Sequence, residues 1–139
     1  MTAAGPLGEP VTSAFGLRAA DVGICALDGG PPQPASGGVA VIELADVVGP
    51  QRLPEGVLAP LQASTFGLGQ LIGSALDRGA STIILGVGGS SSTDGGAGMM
   101  QALGVALRDA SGAELGRGGA ALADLGPLTR ADSIRGWPA

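Results

Sequence analysis

Apolar positions follow two different spacings along this chain, and the change comes near residue 65. Before it, Val11–Leu17 and Val22–Leu27 read as short strands, and "VAVIELA" (Val39–Ala45) as a stronger one, rich in β-branched residues. Between them, "DGGPPQPASGG" (Asp28–Gly38) reads as a flexible connection, because Pro and Gly block both helix and ladder. Residues 46–63 read as loop with one short helix. From Phe66 onward Leu68, Leu71, Ile72, Ala75 and Leu76 fall at helical spacing, with Gly79 as C-cap. "TIILGVG" (Thr82–Gly88) is a continuous apolar run, as expected of a strand buried on both faces. Met100, Leu103 and Leu107 mark a second helix opening near Gly95. A strand, a turn at Asp109–Gly112, a return strand, a further turn and a short helix follow. The tail, residues 129–139, has no strong pattern and is expected to be weakly structured. Helix, buried strand, glycine loop, helix and strand in that order predict a layered α/β domain with a mainly parallel or mixed sheet. The 139 residues suit a single domain, 1–139.

Composition narrows the chemistry. Hydrophobic residues make up 45% but the aromatics are only Phe15, Phe66 and Trp137, so Ala, Val, Leu and Ile must form the core. The net charge is −5, lysine is absent and the seven arginines are scattered, which argues against nucleic acid and anionic membranes as partners. No apolar run approaches the ~20 residues of a membrane span, and the N-terminus lacks the pattern of a signal peptide. The lone Cys25 cannot close an intrachain disulfide, so a cytoplasmic location is expected. Without histidine there is no Ser-His-Asp triad or His metal ligand; without lysine there is no P-loop lysine. Carboxylates, hydroxyls, arginines and backbone amides must carry any chemistry.

Those groups concentrate in "GVGGSSSTDGGAG" (Gly86–Gly98), between the expected buried strand and the second helix. Ligands of open α/β sheets bind at the carboxyl ends of strands. Unpaired N–H groups in the first turn of a helix attract anions. Gly88, Gly89, Gly95 and Gly96 permit close backbone approach. Ser90, Ser91, Ser92 and Thr93 can donate to phosphate or carboxylate oxygens. Asp94 is a candidate general base or Mg²⁺ ligand. It also stands where a helix N-cap would fall, and Asp is a strong cap. Because Asn caps nearly as well, Asp94→Asn is expected to spare stability while lowering turnover about 10²-fold if Asp94 is a base. Neither a Rossmann nor a Walker loop fits. Ser64 and Thr65 precede the first helix as N-cap candidates, and Glu43 ends a strand where a carboxylate could meet a metal or a ligand hydroxyl.

"GVGGSSSTDGGAGMMQALG" resembles the signature of the type-1 glycerate kinase family, commonly GGSATNDGGAGMLQALG. "GPLGEPV" (Gly5–Val11), "AVIELA" (Ala40–Ala45), "STFGLGQLI" (Ser64–Ile72) and "GVALRDASGAELGRGGAAL" (Gly104–Leu122) resemble further family blocks, in the same order. The resemblance implies transfer of the γ-phosphoryl of ATP to D-glycerate, giving 2-phosphoglycerate, with Mg²⁺ as cofactor. It implies a two-domain enzyme, one domain flavodoxin-like and the other inserted into it, with the site between them. This chain resembles the inserted domain. On that reading it is a fragment, inactive alone, whose partner is the missing flavodoxin-like domain. Asp94 would then be catalytic, with Ser64, Thr65 and the 88–96 loop holding substrate or phosphate. The chain departs from the family at Thr93, where asparagine is usual, in its long 28–38 connection, and in lacking the D-S-F-K and GEG…D motifs. A non-catalytic small-anion-binding domain and a purely structural one are the alternatives.

Overall fold

The computed structural model describes residues 1–18, 23–24, 33–34, 37–55 and 57–128. Its strands are β1 (Thr2–Ala4), β2 (Pro10–Thr12), β3 (Gly16–Arg18), β4 (Gly23–Ile24), β5 (Gln33–Pro34), β6 (Gly38–Glu43) and β7 (Ala80–Gly86). Three α-helices are described: α1 (Ala45–Val48), α2 (Phe66–Asp77) and α3 (Ala97–Ala102). Short 3-10 turns cover Pro50–Arg52 and Gly119–Asp124.

The main sheet is mixed, in the order β3-β6-β7, with β3 antiparallel to β6 and β6 parallel to β7. β1 and β2 form an antiparallel hairpin, and β4 pairs antiparallel with β5. The α/β expectation with a mixed sheet therefore holds. Most of the flexible connection expected at 28–38 lies outside the described residues, apart from β5, Gly37 and Gly38, as does the whole 129–139 tail.

Helix α2 lies on one face of the sheet, where Ala40 and Ile42 of β6 point. It buries Leu68, Leu71 and Ala75 against them together with Val47 and Val48 of α1. Small aliphatic side chains make this core, as composition requires. Gly79, at φ +86°, ends the α2 hairpin into β7.

The structure corrects the sequence reading in four places. β7 begins two residues earlier than the apolar run and is covered on one face only. Val41 and its register partner Ile84 are 49% and 47% exposed on the uncovered face. A continuous apolar run cannot by itself distinguish one covered face from two. The expected strand Val11–Leu17 is two strands in different sheets, broken where the buried Ser13 donates its amide to the Met1 carbonyl. Helix α3 stops at Ala102, with Gly104 at φ +98°; Leu107 lies beyond it, buried in the next segment. The final hairpin is reduced to an isolated bridge, Arg108 to Glu114.

That hairpin has its turn where expected. Asp109 Oδ1 accepts from the Ser111 hydroxyl at 2.6 Å, the Ser111 amide at 2.8 Å and the Ala113 amide at 3.0 Å. The Ser111 hydroxyl holds the Asp109 carboxyl below its ordinary value, against the opposing effect of desolvation and with further help from the backbone amides. A carboxyl depressed in the folded state stabilises the turn above its unfolded pKa, and that contribution is lost as pH falls through the folded one. Ser111→Ala should move the Asp109 midpoint upward, read by NMR titration of the side-chain carboxyl carbon. An unmoved midpoint would assign the shift to the amides alone.

Candidate functional site

Asp94 is the structural centre of the glycine-rich segment. It is 1% exposed, and both of its oxygens accept hydrogen bonds from the protein. Oδ2 takes the Thr65 amide at 2.7 Å, the Gly98 amide at 3.2 Å and the Ser64 hydroxyl at 3.2 Å. Oδ1 takes the Gly96 amide at 3.2 Å. The Thr65 hydroxyl lies 3.1 and 2.9 Å from Oδ1 and Oδ2, and itself accepts the Met99 amide at 2.9 Å. The Ala97 amide donates to the Asp94 carbonyl. One carboxylate thus joins the starts of α2 and α3, a favourable place for a negative charge.

Two expectations change as a result. The amides of residues 96–99, expected to be open to an anion, all have partners within the protein. Asp94 is a buried cap for two helices. Its oxygens take the amides of Thr65, Gly96 and Gly98 and the hydroxyls of Ser64 and Thr65, so in this structure the carboxylate holds backbone in place. Among the described residues no group of three or more His, Cys, Asp or Glu side chains gathers to hold a metal. Glu43 is exposed at the carboxyl end of β6, beside Gly86.

The run of hydroxyls is sorted by alternation. Ser91 donates its hydroxyl to the Val48 carbonyl at 2.6 Å, with its amide on the same oxygen at 2.8 Å. Thr93 donates to the Pro60 carbonyl at 2.6 Å. These two peg the segment to the residues after β6. Ser90 and Ser92 face the other way, their hydroxyls 2.9 Å apart. Positions two apart thus share a role in this segment. Thr93, the departure from the resembling signature, is a peg to the Pro60 carbonyl.

Ser90, Ser92, Thr65, Gly95 and Gly96 line one cavity of about 280 Å³, with Asp94 at its base. The rest of its wall is apolar: Leu44, Leu68, Leu85, Val87 and Met99. Sequence reasoning placed Leu68 on the apolar stripe of α2 and did not assign the others to a site; the place of Leu44 after β6, and of Leu85 and Val87 at the end of β7, was the available signal. Just before Ser90, Gly88 and Gly89 are exposed, and among the described residues their amides have no hydrogen-bond partner. Ser64 lies on the other side of the α2 start. It lines a smaller cavity of about 70 Å³ with the Gly5–Gly8 turn, Phe66 and Arg117. The Arg117 guanidinium stacks over the Phe66 ring at 3.6 Å from its centroid. Glu43 lines neither cavity.

The site therefore combines an exposed glycine-serine rim, an apolar hollow beneath it, and a buried carboxylate that fixes both helices behind it. Comparison with known proteins points to one family. The family model described as "Glycerate kinase family" matches residues 1–134. The glycerate kinase of Bacillus subtilis (strain 168) is 45% identical over 124 residues, 89% of this chain and 28% of the relative. The glycerate 2-kinase of Escherichia coli (strain K12) is 40% identical over 124 residues, with the same shares. A crystal structure assigned as glycerate kinase 2 of Salmonella typhimurium LT2 superposes with a TM-score of 0.76 at 36% identity, covering 98% of this chain and 32% of that one. The chain thus spans less than a third of the length of these relatives. No helix among the described residues is long and apolar enough to cross a membrane.

Proposed function

The chain belongs to the glycerate kinase family, and on that premise we propose that it forms the ligand-holding wall of an enzyme that phosphorylates D-glycerate. The γ-phosphoryl of ATP would pass to the glycerate hydroxyl, giving 2-phosphoglycerate. One observation carries this reading: at the carboxyl end of β7, the free amides of Gly88 and Gly89 stand beside the paired hydroxyls of Ser90 and Ser92. Amides and hydroxyls in that array donate to anionic oxygens without a charged side chain. Phosphoryl transfer asks mainly for such positioning and charge stabilisation. The opposite wall is assigned to the flavodoxin-like domain of the same enzyme.

Within this reading Asp94 is a positioning residue. It holds Thr65 and the α3 backbone in place and touches no reacting atom. Mg²⁺ would be carried chiefly by the ATP phosphates, where it neutralises their charge, and one or two carboxylates commonly suffice for it. Glu43 is the exposed acid at a strand end that suits this task. The single Cys25 and the use of ATP suit the cytosol.

The test is calorimetric titration of the 139-residue chain with Mg·ATP and with D-glycerate, comparing wild type with the double variant Ser90→Ala, Ser92→Ala. Losing two hydroxyl donors should weaken the affected ligand about tenfold or more at an unchanged thermal midpoint. Equal affinity in both proteins for both ligands would remove the loop from the site.

A further inference from the structure

We infer that the hollow beneath the loop seats the nucleobase of ATP, the planar purine, and that the anionic parts of both substrates stay on the rim outside it. This inference rests on the kinase reading above and specifies where one of its substrates lies.

Three observations point this way. The first is the wall: Leu44, Leu68, Leu85, Val87 and Met99 present carbon and sulfur to the cavity. D-glycerate is an anion with a polar group on every carbon and gains nothing from such a surface. Of the two substrates only ATP carries a large flat group that does.

The second is charge. Among the described residues Asp94 is the one charged side chain lining the cavity, and no arginine joins it there. Its negative charge is buried at the base, beneath the Thr65 hydroxyl. A phosphate or carboxylate drawn into the hollow would meet that charge with no cation to offset it. A neutral base meets no such repulsion.

The third is the size and the mouth of the hollow. A cavity of about 280 Å³ has room for a bicyclic base. The hydroxyls of Ser90 and Ser92 stand at its mouth, where the rim that takes the anionic oxygens begins. Val87 stands at that mouth 68% exposed, an apolar side chain left in solvent beside the hollow. With the base inside, the phosphates emerge toward the free amides of Gly88 and Gly89.

The experiment uses the ε-methyl of Met99 as a reporter. The chain is labelled with ¹³C at its methionine methyls, and the Met99 signal is identified by Met99→Leu. It is titrated separately with adenosine, inorganic triphosphate and D-glycerate. Adenosine, having no phosphate, should move the Met99 methyl upfield through the ring current of the stacked base and leave Met1 unmoved. Triphosphate and D-glycerate should leave Met99 where it is. Val87→Trp, which crowds the mouth from an exposed position, should weaken adenosine about tenfold or more while the far-UV and thermal profiles stay those of wild type. A Met99 signal that ignores adenosine but follows D-glycerate or triphosphate overturns the inference and leaves the kinase reading standing. Adenosine binding that survives Val87→Trp at full strength also overturns it. Conversely, adenosine that moves Met99 in a chain on which D-glycerate has no effect supports the base seat and counts against the glycerate reading alone.

Discussion

Asp94→Ala is expected to cost about 3–5 kcal/mol of folding stability, enough to leave a domain of ordinary stability largely unfolded at modest temperature. The buried amides of Thr65 and Gly98 and the amide of Gly96 lose their acceptor together. Each unsatisfied donor costs about 1–3 kcal/mol, partly relieved by water. Asp94→Asn should cost less, about 1–2 kcal/mol, by the same reasoning. Its amide oxygen can replace Oδ2, but its NH₂ group must then sit where Oδ1 accepts the Gly96 amide. This reverses the expectation from sequence that Asn would be silent in folding. Urea denaturation of both variants checks the order. An Asp94→Ala protein within about 0.5 kcal/mol of wild type would show that the carboxylate is not a structural clamp. The consequence for enzymology is direct: lost turnover in Asp94→Asn would not identify a base. A positioning role predicts a pH profile of the residual activity with the same midpoints as wild type, whereas loss of a titrating base would remove one.

The second large effect is expected at Gly67, in the first turn of α2. A Cβ there would overlap the carbonyl oxygen of Ala4 and lie 2.9 Å from its carbonyl carbon. Both are backbone atoms of β1, so relief requires the helix and the β1–β2 hairpin to separate. Gly67→Ala should therefore destabilise by about 3 kcal/mol, the upper end for overpacking, even though alanine is the better helix former. Gly88→Ala is the comparison. Its Cβ would enter open space, so its stability should stay within about 0.5 kcal/mol of wild type. Thermal unfolding of the pair separates packing from intrinsic propensity, and equal midpoints would refute the close approach of α2 to β1.

Where periodicity was strong, the chain could be read directly. Leu68, Leu71 and Ala75 mark the buried stripe of α2, and Gly79 ends the hairpin at positive φ. The position of the glycine-rich run was legible too, since a run that follows a strand must lie at the strand's carboxyl end. Its chemistry was only partly legible. Nothing local says that Asp94 reaches Thr65, 29 residues away, and that contact gives the candidate base a capping role. The sorting of Ser90 to Thr93 was not legible, because it depends on which hydroxyls meet the carbonyls of Val48 and Pro60, more than 30 residues away. β1 was out of reach: three residues hold too little pattern, and its pairing is fixed by the turn at Gly5–Gly8 and by α2 beneath it. The single coverage of β7 was hidden for a different reason. Leu85 and Ile84 are equally apolar, and only the placement of α2 decides which of them is covered.

The two pegs, Ser91 on Val48 and Thr93 on Pro60, give this loop a parity. Adding or removing one residue between Ser90 and Asp94 would exchange the two sides, turning the ligand-facing hydroxyls onto the carbonyls and the pegs into the cleft. A change of two residues would restore the phase. The length of this segment is therefore constrained in steps of two. Libraries or grafts that vary it should find workable loops at even offsets from the present length and lose them at odd ones, whatever residues are supplied.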